Sequence, residues 1–151
     1  MKDKIISIST QVREALEGSK KTDHQSYSSF SIADFPCGCC GDTSEVLQVV
    51  LYNRLGITTH YISGTHYSEE GTSSIGNGAS HAWLEFEGMI IDITADQFND
   101  RGFQNEAIIV TEASSFHDLF IERNQRRIFN PQQIPPHTLL QTINYVLKFV
   151  N

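Results

Sequence analysis

The chain predicts an α+β domain: helices near both termini and in the first half, around an antiparallel sheet drawn from the middle. Three observations predict it. Apolar residues recur at helical spacing near each end and again over residues 40–55. Alternating, β-branched segments fall between residues 57 and 111. Two of these segments are separated only by Glu87-Gly88, a turn short enough to force antiparallel pairing. The 151 residues suffice for one domain with a substantial core, and neither a repeat nor a linker composition divides them.

Residues 3 to about 17 place Ile5, Ile8, Val12, Ala15 and Leu16 on one helical stripe, which Gly18 ends. Residues 19–35, rich in Ser, Lys, Asp and Tyr, read as a surface loop. The stretch Phe35-Pro36-Cys37-Gly38-Cys39-Cys40-Gly41-Asp42 then leads into a central helix over 40–55. Its apolar face is Val46, Leu47, Val50, Leu51 and Leu55, and Gly56 supplies a left-handed cap. Strands are predicted at 57–63, at Ser80–Phe86, at Met89–Thr94 and at Ala107–Thr111. The glycine- and serine-rich residues 64–79 read as a flexible rim, and 95–104 as a loop. Residues 115–128 are expected to be helical around Phe116, Leu119, Phe120 and Ile121. Prolines 131, 135 and 136 interrupt the chain before a last helix over Thr138–Val150.

Composition narrows the function classes. A content of 39% hydrophobic and 10% aromatic residues is that of an ordinary soluble globular protein. A net charge of −7 argues against a nucleic-acid partner, since phosphate binding needs a basic surface. The one basic cluster, Arg123, Arg126 and Arg127, reads as a solvated helix face. The charged start Met1-Lys2-Asp3-Lys4 precedes only Ile5-Ile6, which is no secretory core. No run approaches the roughly 20 apolar residues of a membrane span. A cytoplasmic location with no membrane partner is therefore expected, although an effector exported without such a signal would read the same. Three cysteines, two of them adjacent, do not make a disulfide framework, so reduced thiols are the default. Adjacent Cys39 and Cys40 also suit a tetrahedral metal poorly, and neither a metal nor a cofactor is expected.

The chemistry concentrates on three residues. Cys40 sits at the start of the central helix, where free N–H groups and the dipole favour thiolate. His81 opens one hairpin strand, and Asp92 lies on its partner between Ile91 and Ile93. The turn at 87–88 brings Asp92 back to within diagonal reach of His81. A half-buried acid persists when it has a partner, and a nucleophile, a base and an orienting acid in this arrangement are the elements of covalent acyl transfer. Around them, Cys39, Gln97, Trp83 and His66 are candidates for shaping an oxyanion or substrate site. Asp96 is the competing acid, and the remaining histidines, His24, His60, His117 and His137, read as surface or structural.

The segments Phe35-Pro36-x-Gly38-x-Cys40-Gly41-Asp42-x-Ser44, His81-Ala82-Trp83-Leu84-Glu85 and Ile91-Asp92-Ile93-Thr94-Ala95-Asp96-Gln97-Phe98 together resemble bacterial proteins of the transglutaminase-like group. That group belongs to the papain-like cysteine-enzyme superfamily, and the likeness is greatest to the small leader-peptide proteases of lasso-peptide maturation. It covers residues 35–98 and extends more weakly to 120. The resemblance implies a papain-like core over about 35–120 of a single 1–151 domain, with Cys40 as nucleophile, His81 as base and Asp92 as orienting acid. It also implies amide chemistry through a thioester (proteolysis, amide hydrolysis, deamidation or cross-linking) on a peptide or protein substrate that a partner protein can deliver. Where papain-type enzymes carry an upstream glutamine as oxyanion donor, this chain has Asp34, which leaves the donor beside the Cys40 N–H unassigned. Two other readings follow from the same residues: a papain-like binding module without catalysis, and a thiol redox sensor using Cys37 or Cys39.

Overall fold

The N-terminal apolar stripe folds into a helix because it repeats at helical offsets without a breaker. In the computed structural model, which describes residues 1–69 and 73–151, α1 spans Lys2–Gly18 and buries Ile5, Ile8, Val12, Ala15 and Leu16. A short helix α2 (Ser29–Ile32) precedes the central α3 (Cys40–Leu55), which ends at Gly56 with φ 69°, a left-handed cap that glycine adopts without strain. The last helix, α4, is Leu140–Leu147, shorter than its apolar pattern and entered through a 3₁₀ turn at His137–Leu139. No helix among the described residues is long and apolar enough to cross a membrane.

Five strands form one sheet among the described residues: β1 (His60–Thr65), β2 (Ser80–Phe86), β3 (Met89–Asp92), β4 (Ile109–Thr111) and β5 (Glu122–Ile128). Their order is β4-β3-β2-β1-β5, and every neighbouring pair is antiparallel. The β2–β3 turn puts both Glu87 (φ 48°) and Gly88 (φ 78°) in the left-handed region, as a two-residue hairpin turn needs to match strand twist. The architecture is thus α+β, with side-chain alternation along β2 sorting the layers. Ala82 and Leu84 pack with Tyr61, Ile91 and the apolar faces of α1, α3 and α4. Trp83 and Ile62 face the other way, into a smaller layer of Ile75, Phe98, Phe116 and Phe120.

The structure corrects the helix expected over residues 115–128. Only His117–Leu119 turns, as a 3₁₀ segment, and Glu122–Ile128 is the edge strand β5 paired with β1. Every residue of β5 is exposed. Its place is therefore set by the backbone ladder to β1, which leaves no apolar alternation in the sequence. The three arginines accordingly project from a strand rather than a helix. Arg126 pairs with Glu85 at 2.8 Å, Arg127 with Glu45 at 2.5 Å, and Arg123 lies over the Trp83 ring. Other limits also move: the third strand ends at Asp92 rather than 94, the fourth begins at Ile109 rather than 107, and the loop expected over 19–35 contains α2. The first strand begins at His60 rather than 57, and Ala95–Arg101, expected as loop, winds as a 3₁₀ helix. Of the rim expected over 64–79, residues 70–72 lie outside the described residues.

Two local devices hold the aromatic layer and α1 to the sheet. At Gly64 a β-carbon would stand 2.9 Å from both the Phe120 β-carbon and carbonyl oxygen, so glycine is what lets the 116–120 segment approach β1. Asp96, the competing acid of the sequence, is committed to Arg13 rather than to His81. Its carboxylate takes a bidentate pair from Arg13 of α1, both contacts at 2.7 Å, and Arg13 also donates to the Ile93 carbonyl. Arg13 is 7% exposed and also meets Glu17 on its own helix at 2.5 Å, so losing Asp96 leaves a mostly buried cation with only that half-exposed partner. Asp96→Ala is expected to lower unfolding free energy by about 2 kcal/mol, read from urea denaturation. A change within experimental error would show that the pair is dispensable.

Candidate active site

Helix geometry prepares the position of Cys40. The Thr43 N–H is the first to bond within the helix, to the Cys39 carbonyl at 2.9 Å. The N–H groups of Cys40, Gly41 and Asp42 are the orphan donors of a helix start, and the preceding Cys39 does not cap them with its side chain. Asp42 is committed elsewhere, its Oδ2 accepting the Ser29 N–H at 2.9 Å and the Ser29 hydroxyl at 2.7 Å. The three thiols differ in environment. Cys37 is exposed, Cys40 partly exposed and Cys39 wholly buried. Burial pushes the Cys39 thiol up to about 11, which disfavours its thiolate, and its Sγ lies 3.5 Å from the Cys37 carbonyl oxygen.

Strand pairing brings the other two groups together. The β2–β3 register sets Leu84 opposite Ile91, and its continuation puts Asp92 beside Trp83 and diagonal to His81. The His81 Nε2 meets Asp92 Oδ2 at 2.6 Å, with both side chains fully buried. The rings of Phe98, Phe116, Phe120 and Trp83 surround the imidazole, with centroids 5.2–5.9 Å away. Its Nδ1 has no aligned hydrogen-bond partner among the described residues. Burial opposes charge on this ring, but the Asp92 carboxylate and a hydrogen-bonding and charge interaction with Cys40 outweigh it and raise His81 to about 10. Because Nε2 is taken by Asp92, the interaction with Cys40 falls to the Nδ1 side.

Asp92 has a further partner that the sequence did not single out. His117 Nε2 also meets Asp92 Oδ2, at 2.7 Å, and this ring too is fully buried. The Ser114 hydroxyl accepts the His117 backbone N–H at 3.2 Å and lies 2.6 Å from Nδ1. It is placed to donate to Nδ1, which leaves the ring proton on Nε2, facing Asp92. The Thr94 N–H bonds the other carboxylate oxygen at 2.9 Å. Burial would raise the Asp92 carboxyl, but His81 and His117 hold it well below the usual carboxylate range. Only the histidine in Ser114-Ser115-Phe116-His117 hinted at this role, and nothing in its local pattern distinguishes it from a surface residue.

The remaining sequence candidates have structural partners. Gln97 donates from Nε2 to the Thr94 carbonyl at 2.9 Å and accepts the Gly38 N–H at 3.4 Å, which ties the cysteine loop to the turn after β3. Trp83 is fully buried beneath Arg123, 4.8 Å from ring centroid to guanidinium carbon. His66, 9% exposed, spends Nδ1 on the Leu119 carbonyl at 2.8 Å and Nε2 on the Ser73 hydroxyl at 3.1 Å, so neither nitrogen is left for a substrate. A groove of about 280 Å³ opens further along α3, between Glu45, Val49, Arg127, Phe129 and Ile134.

Among the described residues, one cluster has the donor set for a metal: His81, Asp92 and His117. Its fit is poor. Both imidazole Nε2 atoms sit at hydrogen-bond distance from a single carboxylate oxygen, and the Ser114 hydroxyl directs a proton onto one of them. No family model, curated protein or solved structure matches the chain.

The two shifts give a signed dependence of stability on pH. Asp92 is depressed, so its contribution is complete above the ordinary 3.8 and fades as pH falls below it. His81 is raised, so its contribution is complete below the ordinary 6.5 and fades as pH climbs towards about 10. Urea midpoints are expected to be highest near pH 5–6 and to decline on both sides, with both slopes reduced in Asp92→Asn. Identical pH profiles for the two proteins would contradict the assignment.

Proposed function

We propose that the chain is a cysteine-dependent amide hydrolase or acyltransferase of the transglutaminase-like, papain-like kind, using Cys40, His81 and Asp92. The observation that carries this reading is the His81 ring itself. It is fully buried, held through Nε2 by Asp92 at 2.6 Å, and left with an unclaimed Nδ1 whose ionisable neighbour is the thiol at the start of α3. A catalytic base needs that combination: one nitrogen fixed so that the other points at the nucleophile.

Because Asp92 keeps His81 protonated above its ordinary range, the proton given up by Cys40 already rests on His81 Nδ1 before substrate arrives, and Asp92 stabilises that imidazolium. The sulfur attacks a substrate amide carbon, forming a C–S bond while the carbonyl π pair moves onto oxygen. The orphan N–H groups at the start of α3 are donors available to that developing charge. As the tetrahedral adduct collapses, the C–N bond breaks and His81 gives its proton to the departing nitrogen. Water or an amine, deprotonated by His81, then attacks the thioester and restores the thiol. His117 braces Asp92 from the side away from the chemistry, so the carboxylate stays aligned through both proton transfers. A peptide bond or a glutamine-type side chain is the substrate class this chemistry suits.

Of the two resolving thiols in the redox reading, Cys39 is buried and disfavours ionisation, while Cys37 is exposed, and mass spectrometry after mild peroxide tests whether Cys37 pairs with Cys40. The non-catalytic binding module is separated from the enzyme by reactivity at Cys40.

With a synthetic peptide library as substrate, Cys40→Ala and His81→Ala are expected to abolish turnover and Asp92→Ala to leave a remnant, at about 10⁴-fold loss. Peptide mapping after limited iodoacetamide treatment should find Cys40 alkylated first and Cys39 last, with His81→Ala slowing the reaction at Cys40. Undiminished turnover by Cys40→Ala would exclude the proposal.

A further inference from the structure

The geometry points to the Tyr61 hydroxyl as the side-chain donor that completes the oxyanion site beside Cys40, an assignment that rests on the acyl-transfer reading above. Asp34 cannot fill that place. It sits at the position of the upstream glutamine, but its side chain is 92% exposed and paired with Lys21 at 3.0 Å. A carboxylate also has no proton to give at neutral pH. Gln97, the other nearby amide, already donates to the Thr94 carbonyl.

Tyr61 comes from β1, and its ring is 8% exposed in the main core. A β-carbon built on Gly41 would stand 3.1 Å from the Tyr61 hydroxyl oxygen. The hydroxyl therefore lies against the backbone of the residue that follows the nucleophile, at the turn whose N–H groups are unpaired. Among the described residues it makes no hydrogen bond of its own. Its position is fixed from behind: the Arg127 guanidinium stacks on the ring at 4.2 Å and is itself held by Glu45 at 2.5 Å. Burial first, and then the charges of Cys40 and Glu45, push the phenol up to about 12, so it retains its proton. A rigid, protonated, unclaimed O–H beside helix-start N–H groups is what a preorganised oxyanion site requires.

In the step this serves, sulfur bonds to the carbonyl carbon and the π pair settles on oxygen. That oxygen accepts hydrogen bonds from Tyr61 Oη–H and from backbone N–H at the start of α3. Both donors keep their protons, and the bonds weaken again when the carbonyl reforms. A side chain at Gly41 would press on the hydroxyl, whose oxygen lies 3.1 Å from where a β-carbon would stand, so glycine there keeps the donor in place.

Two thiol reactions separate this role from others. Acylation by 4-nitrophenyl acetate passes through an oxyanion, whereas alkylation by iodoacetamide does not. Both are measured at Cys40, with sites verified by peptide mapping and folding by thermal melting. Tyr61→Phe keeps the packed ring and is expected to slow acylation by roughly 10²-fold while alkylation changes less than about twofold. Gly41→Ala should reproduce the selectivity with a smaller loss. Wild-type acylation rates in Tyr61→Phe would overturn the assignment of Tyr61 alone. An equal loss in both reactions would also overturn it, by showing that the hydroxyl acts on the sulfur. Absence of Cys40-dependent acylation in the wild-type protein would remove the acyl-transfer reading and this inference with it.

Discussion

Both imidazoles that reach Asp92 bond the same carboxylate oxygen, at 2.6 and 2.7 Å, in a region sealed from water. A buried carboxylate is costly unless its lone pairs are met, and here both histidines and the Thr94 N–H meet them. Much of the local architecture serves this one group. The tight β2–β3 turn fixes the register that sets Asp92 diagonal to His81. Gly64 permits the close approach of the segment that carries His117. Phe98, Phe116 and Phe120 close the space around the rings, which keeps the local dielectric low and the interactions strong.

The sheet divides two tasks between its faces. The helical face holds the larger core and gives the domain its stability, while the aromatic face keeps the base and its acid dry. Cys40 joins these environments at the N-terminal end of α3, which packs against β2. It is the partly exposed member of the group, so an electrophile can reach the sulfur from solvent while His81 remains at 1% exposure. Arg13 and Gln97 add a mechanical link. They tie α1 and the cysteine loop to the residues just after Asp92, so the thiol and the acid are positioned from one turn.

What the sequence made legible was local. The limits of α3 followed from an apolar stripe and Gly56, and the hairpin from Glu87-Gly88 between alternating runs. Cys40, His81 and Asp92 each sit at a recognisable point of those elements. Besides the local 3₁₀ winding of Ala95–Arg101, the larger misses are interactions between segments distant in the chain. β5 carries charged residues throughout and takes its conformation from the edge of β1, while Phe116, Leu119 and Phe120 imitate a helical stripe although they fill an irregular layer. His117 acquires a role only through a contact 25 residues away, and Asp96 loses one through a contact 83 residues away. Tyr61 reads as a β-strand aromatic until Gly41 is seen beneath its hydroxyl.

The central claim is that Cys40, His81 and Asp92 form one coupled unit, and the ring nitrogens of His81 report on it most directly. In ¹⁵N-labelled protein the account predicts that the His81 ring stays protonated well above its ordinary 6.5, towards about 10. Its titration should move when Cys40 is alkylated and fall sharply in Asp92→Ala. A His81 ring that titrates near 6.5 and is indifferent to both changes would contradict the account.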